Sequence, residues 1–240
     1  MSGKGGVGKS VVSAMAAMAL SEKGRVILLD FDICGPSICT TLGTTMKVYK
    51  GTAGLIPASI ADNLDALSMS SLIRDVDAVI WRGPKKISVL DMFFESAHDY
   101  DHVIVDTPPG LSEEHWFLRD REVKSIIVST PQNIALSDAV VSIDFCQKNG
   151  IEILGIVENM AGLACEMCAC TTNVFGSKGV ERLAAQYGIR HLCSLPVDRD
   201  LIRAIDEGKL LERRGQLASY RIVQELFHCK VLEMDNGKVR

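Results

Sequence analysis

The stretch Gly3-Lys4-Gly5-Gly6-Val7-Gly8-Lys9-Ser10 constrains this chain more than any other. It fits the pattern G-x-x-x-x-G-K-[ST] at every fixed position. Glycines let a backbone take positive φ and approach an anion closely. The freed N–H groups then form a nest for phosphate oxygens. Lys9 brings a point charge to the β- and γ-phosphates, and the Ser10 hydroxyl is placed for Mg²⁺. Val11 to Leu20 is apolar and rich in Ala and Met, which predicts a helix ending near Gly24, a C′ glycine. The N-terminus of that helix adds a positive dipole end beneath the phosphates. The expected ligand is ATP with Mg²⁺.

A loop of this kind normally follows a buried strand, yet only Met1 and Ser2 stand ahead of it in this sequence. The expectation is a start at an internal methionine rather than loss of the strand. Downstream, Arg25 to Asp30 reads as a strand buried on both faces, as in a parallel sheet. It delivers Asp32 just past the strand end, where open α/β sheets bind ligands. A carboxylate there can hold the Mg²⁺ water shell or orient the attacking water. Asp30 reads as a turn or cap aspartate. His102 to Asp106 is a second buried strand that ends in an acid, and Asp106 is expected to hold Mg²⁺ through water. Thr107-Pro108-Pro109-Gly110 behind it is stiff and then free, a form suited to a γ-phosphate switch. His115 reads as a solvated or hydrogen-bonded loop residue rather than a catalyst.

Further strands are expected at Leu64–Met69, Ser125–Thr130, Ile151–Val157 and His191–Leu195. Helices are expected from about Lys85 to Ala97, Ile134 to Lys148, Gly179 to Tyr187, Asp200 to Asp206 and Gln216 to Leu232. Residues 46–62 read as irregular, and Trp81 as a core residue. Strands that alternate with helices make a doubly wound, mostly parallel sheet with helices on both faces. At 240 residues with 47% apolar content, one domain over 1–240 is expected. A net charge of −4 gives no electrostatic case for nucleic acid or an anionic membrane. No apolar run approaches the ~18 residues of a membrane span. With the chain opening on the phosphate loop, no leader is expected. The eight cysteines therefore read as cytosolic thiols rather than a disulfide framework.

Cys165-Glu166-Met167-Cys168-Ala169-Cys170 lies between a strand and a helix. A C-x-x-C pair suits zinc, an iron–sulfur cluster or redox chemistry. The redox option calls for the pair at a helix N-terminus in a thioredoxin-like unit, a context missing from this pattern. A four-thiolate site needs four ligands; two chains that each give Cys165 and Cys168 supply them. The residues leave structural zinc or inert thiols on equal footing with a cluster. Cys170 is an extra ligand or a spare thiol. Cys34, Cys39, Cys146, Cys193 and Cys229 read as small hydrophobes.

Lys4, directly after the first glycine, gives G-K-x-x-x-G-K-[ST], which resembles the deviant Walker A class of ATPases. Trp81-Arg82-Gly83-Pro84, Asp106 to Gly110, Ser129-Thr130-Pro131-Gln132, Glu158 to Leu163, the C-x-x-C and Asn173-Val174-Phe175-Gly176 narrow this. In that order, from the phosphate loop to about Gly208, the chain is similar to the Mrp/nucleotide-binding-protein family. Glu166 stands where that family usually has proline, and Leu111 and Val11 where it usually has threonine. The resemblance implies a weak, partner-dependent ATPase of the cytoplasm that assembles and hands over [4Fe–4S] clusters. Gly3 to Ser10 would bind nucleotide, with Asn159 and the Pro196 loop at its base. Lys4 would reach the partner's phosphates across a nucleotide-sandwich dimer, and Lys9, Asp32 and Asp106 would serve hydrolysis. Cys165 and Cys168 would ligate a cluster bridging two protomers, with the loop 160–176 at the dimer face. Lacking the N-terminal four-cysteine motif of the larger eukaryotic cytosolic member, the chain is expected to pair with itself or with such a paralogue. Its clients would be apo iron–sulfur proteins, without nucleic acid or membrane. Two rivals remain: a Min/Par-like positioning ATPase without a cluster, and a zinc-stabilised P-loop interaction protein.

Overall fold

A computed structural model describes residues 1–32, 38–45, 48–51, 54–69, 84–165, 167–168 and 170–232. Cys34, Trp81, Arg82, Gly83 and Glu166, together with the tail from Glu233, lie outside the described residues. In chain order the first elements are α1 (Lys9–Leu20), β1 (Val26–Asp30), α2 (Ile38–Leu42), β2 (Tyr49–Gly51), β3 (Gly54–Ile56), β4 (Ala58–Ala61) and β5 (Leu64–Ser68). There follow α3 (Pro84–Glu95), β6 (His102–Asp106), α4 (Glu113–Arg119), β7 (Lys124–Ser129), α5 (Asn133–Lys148) and β8 (Glu152–Glu158). The remainder comprises β9 (Leu163–Ala164), β10 (Thr171–Thr172), α6 (Gly179–Tyr187), β11 (His191–Ser194), α7 (Arg199–Asp206), α8 (Leu210–Arg213) and α9 (Ala218–Glu225). A π-helical turn over Leu226–Val231 extends α9.

The β-branched and apolar run of β1 is buried at every residue, as a strand covered on both faces requires. β5 and β6 flank it in parallel, and β4 adds an antiparallel edge, giving the order β4-β5-β1-β6. β11, β8 and β7 form a second parallel sheet. Among the described residues the two sheets are separate: β6 ends one and β7 ends the other. This is where a strand ahead of the phosphate loop would pair with both. The expected full burial of β6 is therefore not met, and Val103 is 38% exposed.

One apolar layer joins the halves. α1 and α9 pack on Val26, Leu28 and Ala66 of the first sheet and on Val128, Val157 and Leu192 of the second. The opposite face carries two separate clusters. Phe31, Phe93, Phe94 and Phe117 stack against each other at centroid separations of 5.7 to 6.2 Å under α3 and α4. Ile127 and Ile156 pack under α5 and α6.

Several expectations are corrected. Residues 46–62 are not wholly irregular: β2 and β3 make a hairpin and β4 pairs with β5. α1 ends at Leu20, and a turn through Ser21, Lys23 and Gly24 leads to β1. Gly24 is not among the positive-φ glycines and so is no left-handed C′ residue. His115 is neither solvated nor in a loop, but fully buried on α4. Cys229 is exposed rather than a core thiol, whereas Cys146 is buried and Cys39 and Cys193 pack against the core.

Candidate nucleotide site and cysteine hairpin

The phosphate loop turns through Gly6 and Gly8, at φ 80° and 90°, and opens directly into α1. Gly8 has a second constraint. A Cβ there would lie 2.2 Å from Asn159 Nδ2, so the amide would have to move aside. The Asn159 amide instead donates to the Val7 carbonyl at 2.9 Å, and its own oxygen accepts from the Met160 N–H at 3.0 Å. A Cβ at Gly3 would meet the Asp138 carbonyl oxygen at 2.2 Å, so the start of the loop is pressed against α5. The loop is held on both flanks before any ligand arrives.

Lys9 is 8% exposed at the start of α1. Register places Asp106 at the end of β6 beside Asp30 at the end of β1. Asp106 Oδ1 accepts from the Ser13 hydroxyl at 3.0 Å, and Ser10 also hydrogen-bonds this carboxyl. Burial pushes the Asp106 pKa up, and the two hydroxyls and the Lys9 charge oppose the shift. Its Oδ2 is buried with no partner. A buried orphan oxygen costs on the order of 1–3 kcal/mol, so an incoming donor or cation gains that much by satisfying it. The group fits Mg²⁺ held next to Ser10. Ser13 was not singled out in the sequence, though it lies three residues after Ser10 and so shares its helix face.

Asp30 accepts from the Ser68 hydroxyl at 2.8 Å and from the Asp32 N–H at 3.1 Å. The latter is an Asx-type turn that sets where Asp32 leaves the strand. Burial raises the Asp30 pKa to about 7. The switch loop touches the phosphate loop through Gly110, whose N–H donates to the Ser2 carbonyl at 3.1 Å. It continues into α4, where Ser112 and His115 form a capping box. Lys86 of α3 reaches Glu114 of α4 at 2.5 Å. On the other side, Ala161 donates to the Leu195 carbonyl at 2.9 Å and Val197 to Gly162 at 2.7 Å. The Pro196 loop is thereby tied to the segment that follows Asn159. Asp198 caps α7 through Leu201 N–H and also accepts from Ser219 N–H of α9, both at 3.0 Å.

The cysteines form a separate surface element. β9 and β10 pair antiparallel, and the pairing continues through a bond from Cys165 N–H to the Cys170 carbonyl at 2.9 Å. Cys165, Cys168 and Cys170 are all exposed. The Cys168 thiol is held below its ordinary pKa by the Cys170 backbone N–H, then by the Cys170 and Cys165 thiols. This gathers three sulfurs at one tip, yet no closed metal-holding group of three ligands is formed among the described residues. Sequence reasoning grouped Cys165 and Cys168 but gave no sign of the hairpin, whose strands are two residues each.

Residues 1–228 match the family described as ParA: NUBPL iron-transfer P-loop NTPase. The chain belongs to this family. Among curated relatives, it is 44% identical over 254 residues to a cytosolic Fe-S cluster assembly factor Nubp2 homolog of Anopheles gambiae, covering 100% of this chain and 93% of that one. It is 37% identical over 245 residues to the cytosolic Fe-S cluster assembly factor NUBP2 of Rattus norvegicus, covering 97% and 90%. Among solved structures, a nucleotide-binding protein of Archaeoglobus fulgidus in complex with ADP aligns with TM-score 0.75 and 29% identity, covering 92% of this chain and 88% of that one. The septum site-determining protein MinD of Pyrococcus horikoshii aligns at TM-score 0.70 with 20% identity, covering 98% and 96%; that likeness shows the α/β P-loop fold alone. The loop, Asp106 and Asn159 lie together at one end of the sheets. No helix among the described residues is long and apolar enough to cross a membrane.

Proposed function

We propose that this protein is an ATP-dependent scaffold or carrier in cytosolic iron–sulfur cluster assembly. The observation that carries the reading is the exposed hairpin that presents Cys165 and Cys168 on a NUBPL-type P-loop domain. The relatives named as cytosolic Fe-S cluster assembly factors support the role and the compartment. The cargo is a [4Fe–4S] cluster shared by Cys165 and Cys168 of two protomers, with the loop 160–176 at their interface. The second protomer is another copy or a larger paralogue, and apo iron–sulfur proteins receive the cluster.

The nucleotide roles follow from charge and position. The backbone from Gly3 to Ser10 cradles the phosphates, and Lys9 neutralises the β/γ end. Ser10 and Asp106 hold Mg²⁺, which when bound spreads the charge developing on the phosphates. Asp32 orients the attacking water. Asn159 and the Pro196 loop flank the base. Lys4 acts across the dimer, so hydrolysis is weak in an isolated chain.

The test is anaerobic reconstitution with iron and sulfide. Cys165→Ala and Cys168→Ala should each remove the broad visible absorption of the cluster and leave ATP binding unchanged, because the phosphate loop lies elsewhere. Stoichiometric zinc on each monomer, with no acid-labile sulfide taken up, would sink the reading in favour of a zinc-stabilised protein.

A further inference from the structure

Ser13 lies outside the G-x-x-x-x-G-K-[ST] pattern, which ends at Ser10. It sits in the second turn of α1, where a serine hydroxyl commonly turns back to the carbonyl four residues earlier. Three other serines on or at the end of helices in this chain do so. Ser96 donates to the Met92 carbonyl at 2.8 Å, Ser137 to the Asn133 carbonyl at 3.1 Å and Ser142 to the Asp138 carbonyl at 3.5 Å. Ser13 instead reaches the end of β6 and donates to Asp106 Oδ1 at 3.0 Å, across 93 positions of sequence. A hydroxyl has one proton to give, and Ser13 gives it to this carboxylate rather than to its own helix.

The choice matters because of where Asp106 stands. It is 1% exposed and in register with the buried Asp30 at the end of β1. Like charges at neighbouring strand ends repel, so the orientation of each carboxylate has to be held by a partner. Each has a serine from another element. Ser68 of β5 donates to Asp30 Oδ2 at 2.8 Å, and Ser13 of α1 holds Asp106 Oδ1. With Oδ1 engaged, Oδ2 is left as a buried acceptor without a partner. Ser10, one turn earlier, shares the same carboxyl, but the loop pattern also gives its hydroxyl a duty toward Mg²⁺. Ser13 has no such duty.

We propose that Ser13 is the positioning residue for Asp106. Its hydroxyl fixes Oδ1 and so keeps Oδ2 free for the cation beside Ser10. The inference rests on Asp106 holding Mg²⁺ in the proposed function. It adds a residue that acts through Asp106 and touches neither nucleotide nor metal.

The experiment measures ADP binding to the full chain by calorimetry, in EDTA and across a Mg²⁺ titration. In the native chain, Mg²⁺ should tighten ADP binding with a defined midpoint. Ser13→Ala, a change that favours the helix, should need about ten-fold more Mg²⁺, the loss of one hydrogen bond to a charged group. Its ADP affinity in EDTA should match that of the native chain, because the phosphate loop is untouched. Ser13→Thr, which keeps the hydroxyl, should restore the native midpoint. An equal loss of ADP affinity with and without Mg²⁺ in Ser13→Ala would make Ser13 a packing residue and overturn the proposal. So would no recovery in Ser13→Thr, or a native midpoint in Ser13→Ala while Asp106→Asn loses the Mg²⁺ dependence. If Asp106→Asn keeps that dependence, the Mg²⁺ assignment itself fails, and the role of Ser13 falls with it.

Discussion

At the scale of single residues, charge and burial separate groups that look alike in the sequence. Lys9 is nearly buried beside Asp106, while Lys4 is half-buried and is proposed to meet its phosphate in a partner. Lys9→Ala should abolish ATP retention. Lys4→Ala should spare ATP binding by the monomer yet slow hydrolysis, as read by filter retention and phosphate release. Equal loss of binding in both variants counts against a cross-dimer role. His115 gives a different handle. Its Nδ1 accepts from the Ser112 N–H at 3.2 Å, and its Nε2 is buried without a partner. Burial above all, with the Lys9 and Lys86 charges, lowers its pKa from 6.5 to about 3. As pH falls, the unfolded chain takes up this proton first, so the stabilisation present above pH 6.5 is lost progressively toward pH 3. The difference in urea midpoint between the native chain and His115→Gln should narrow across that window. A constant difference would mean that the imidazole titrates normally in the fold.

At the scale of elements, the Asp198 carboxylate joins α7 to α9 through its two accepted bonds, next to the Pro196 loop. Asp198→Ala should cost about 1–2 kcal/mol, in the range of a lost N-cap. Asp198→Asn, which keeps an acceptor for Leu201, should recover most of the denaturation midpoint. Gly8→Ala should fail at nucleotide binding even where the chain still folds, because the new methyl displaces the Asn159 amide that braces the loop. Elements of this size were legible where pattern and length agreed. β1, β8 and α5 are long, strongly apolar or periodic, and sit within a residue or two of their expected bounds. The glycine turn ahead of α1 and the strand that ends at Asp106 were legible because their glycines and apolar run mark them locally. β2 to β4 were not: they are three or four residues long, the first two Gly-bearing, and held by cross-strand partners rather than by a local pattern. His115 was misread because its burial depends on α3 and α5 packing around α4, which no local spacing records. The clamp of Asn159 on Val7 spans 152 positions and was likewise invisible.

At the scale of the molecule, the nucleotide loop and the cysteine hairpin are distinct parts of one fold, and the proposed dimer is what links them. Two thiolates from one chain cannot complete a four-thiolate [4Fe–4S] site. Cluster binding and association must then be linked by mass action: a ligand that binds only the dimer stabilises the dimer. The measurement is iron and acid-labile sulfide per chain alongside solution mass over a dilution series. One four-iron cluster per two chains is expected, and the reconstituted dimer should persist at least ~100-fold further down the dilution series than the apo chain, the shift that ~2.7 kcal/mol of linked binding produces. Chelating the iron should restore the apo dissociation curve. Cys170→Ala should leave both curves in place, because Cys165 and Cys168 of two chains already supply four sulfurs. If Cys170→Ala instead weakens the dimer as much as Cys165→Ala does, the third sulfur at the hairpin tip is a ligand. If the cluster forms on a species whose mass stays that of one chain at every concentration, the bridge is wrong and the ligands come from a single chain.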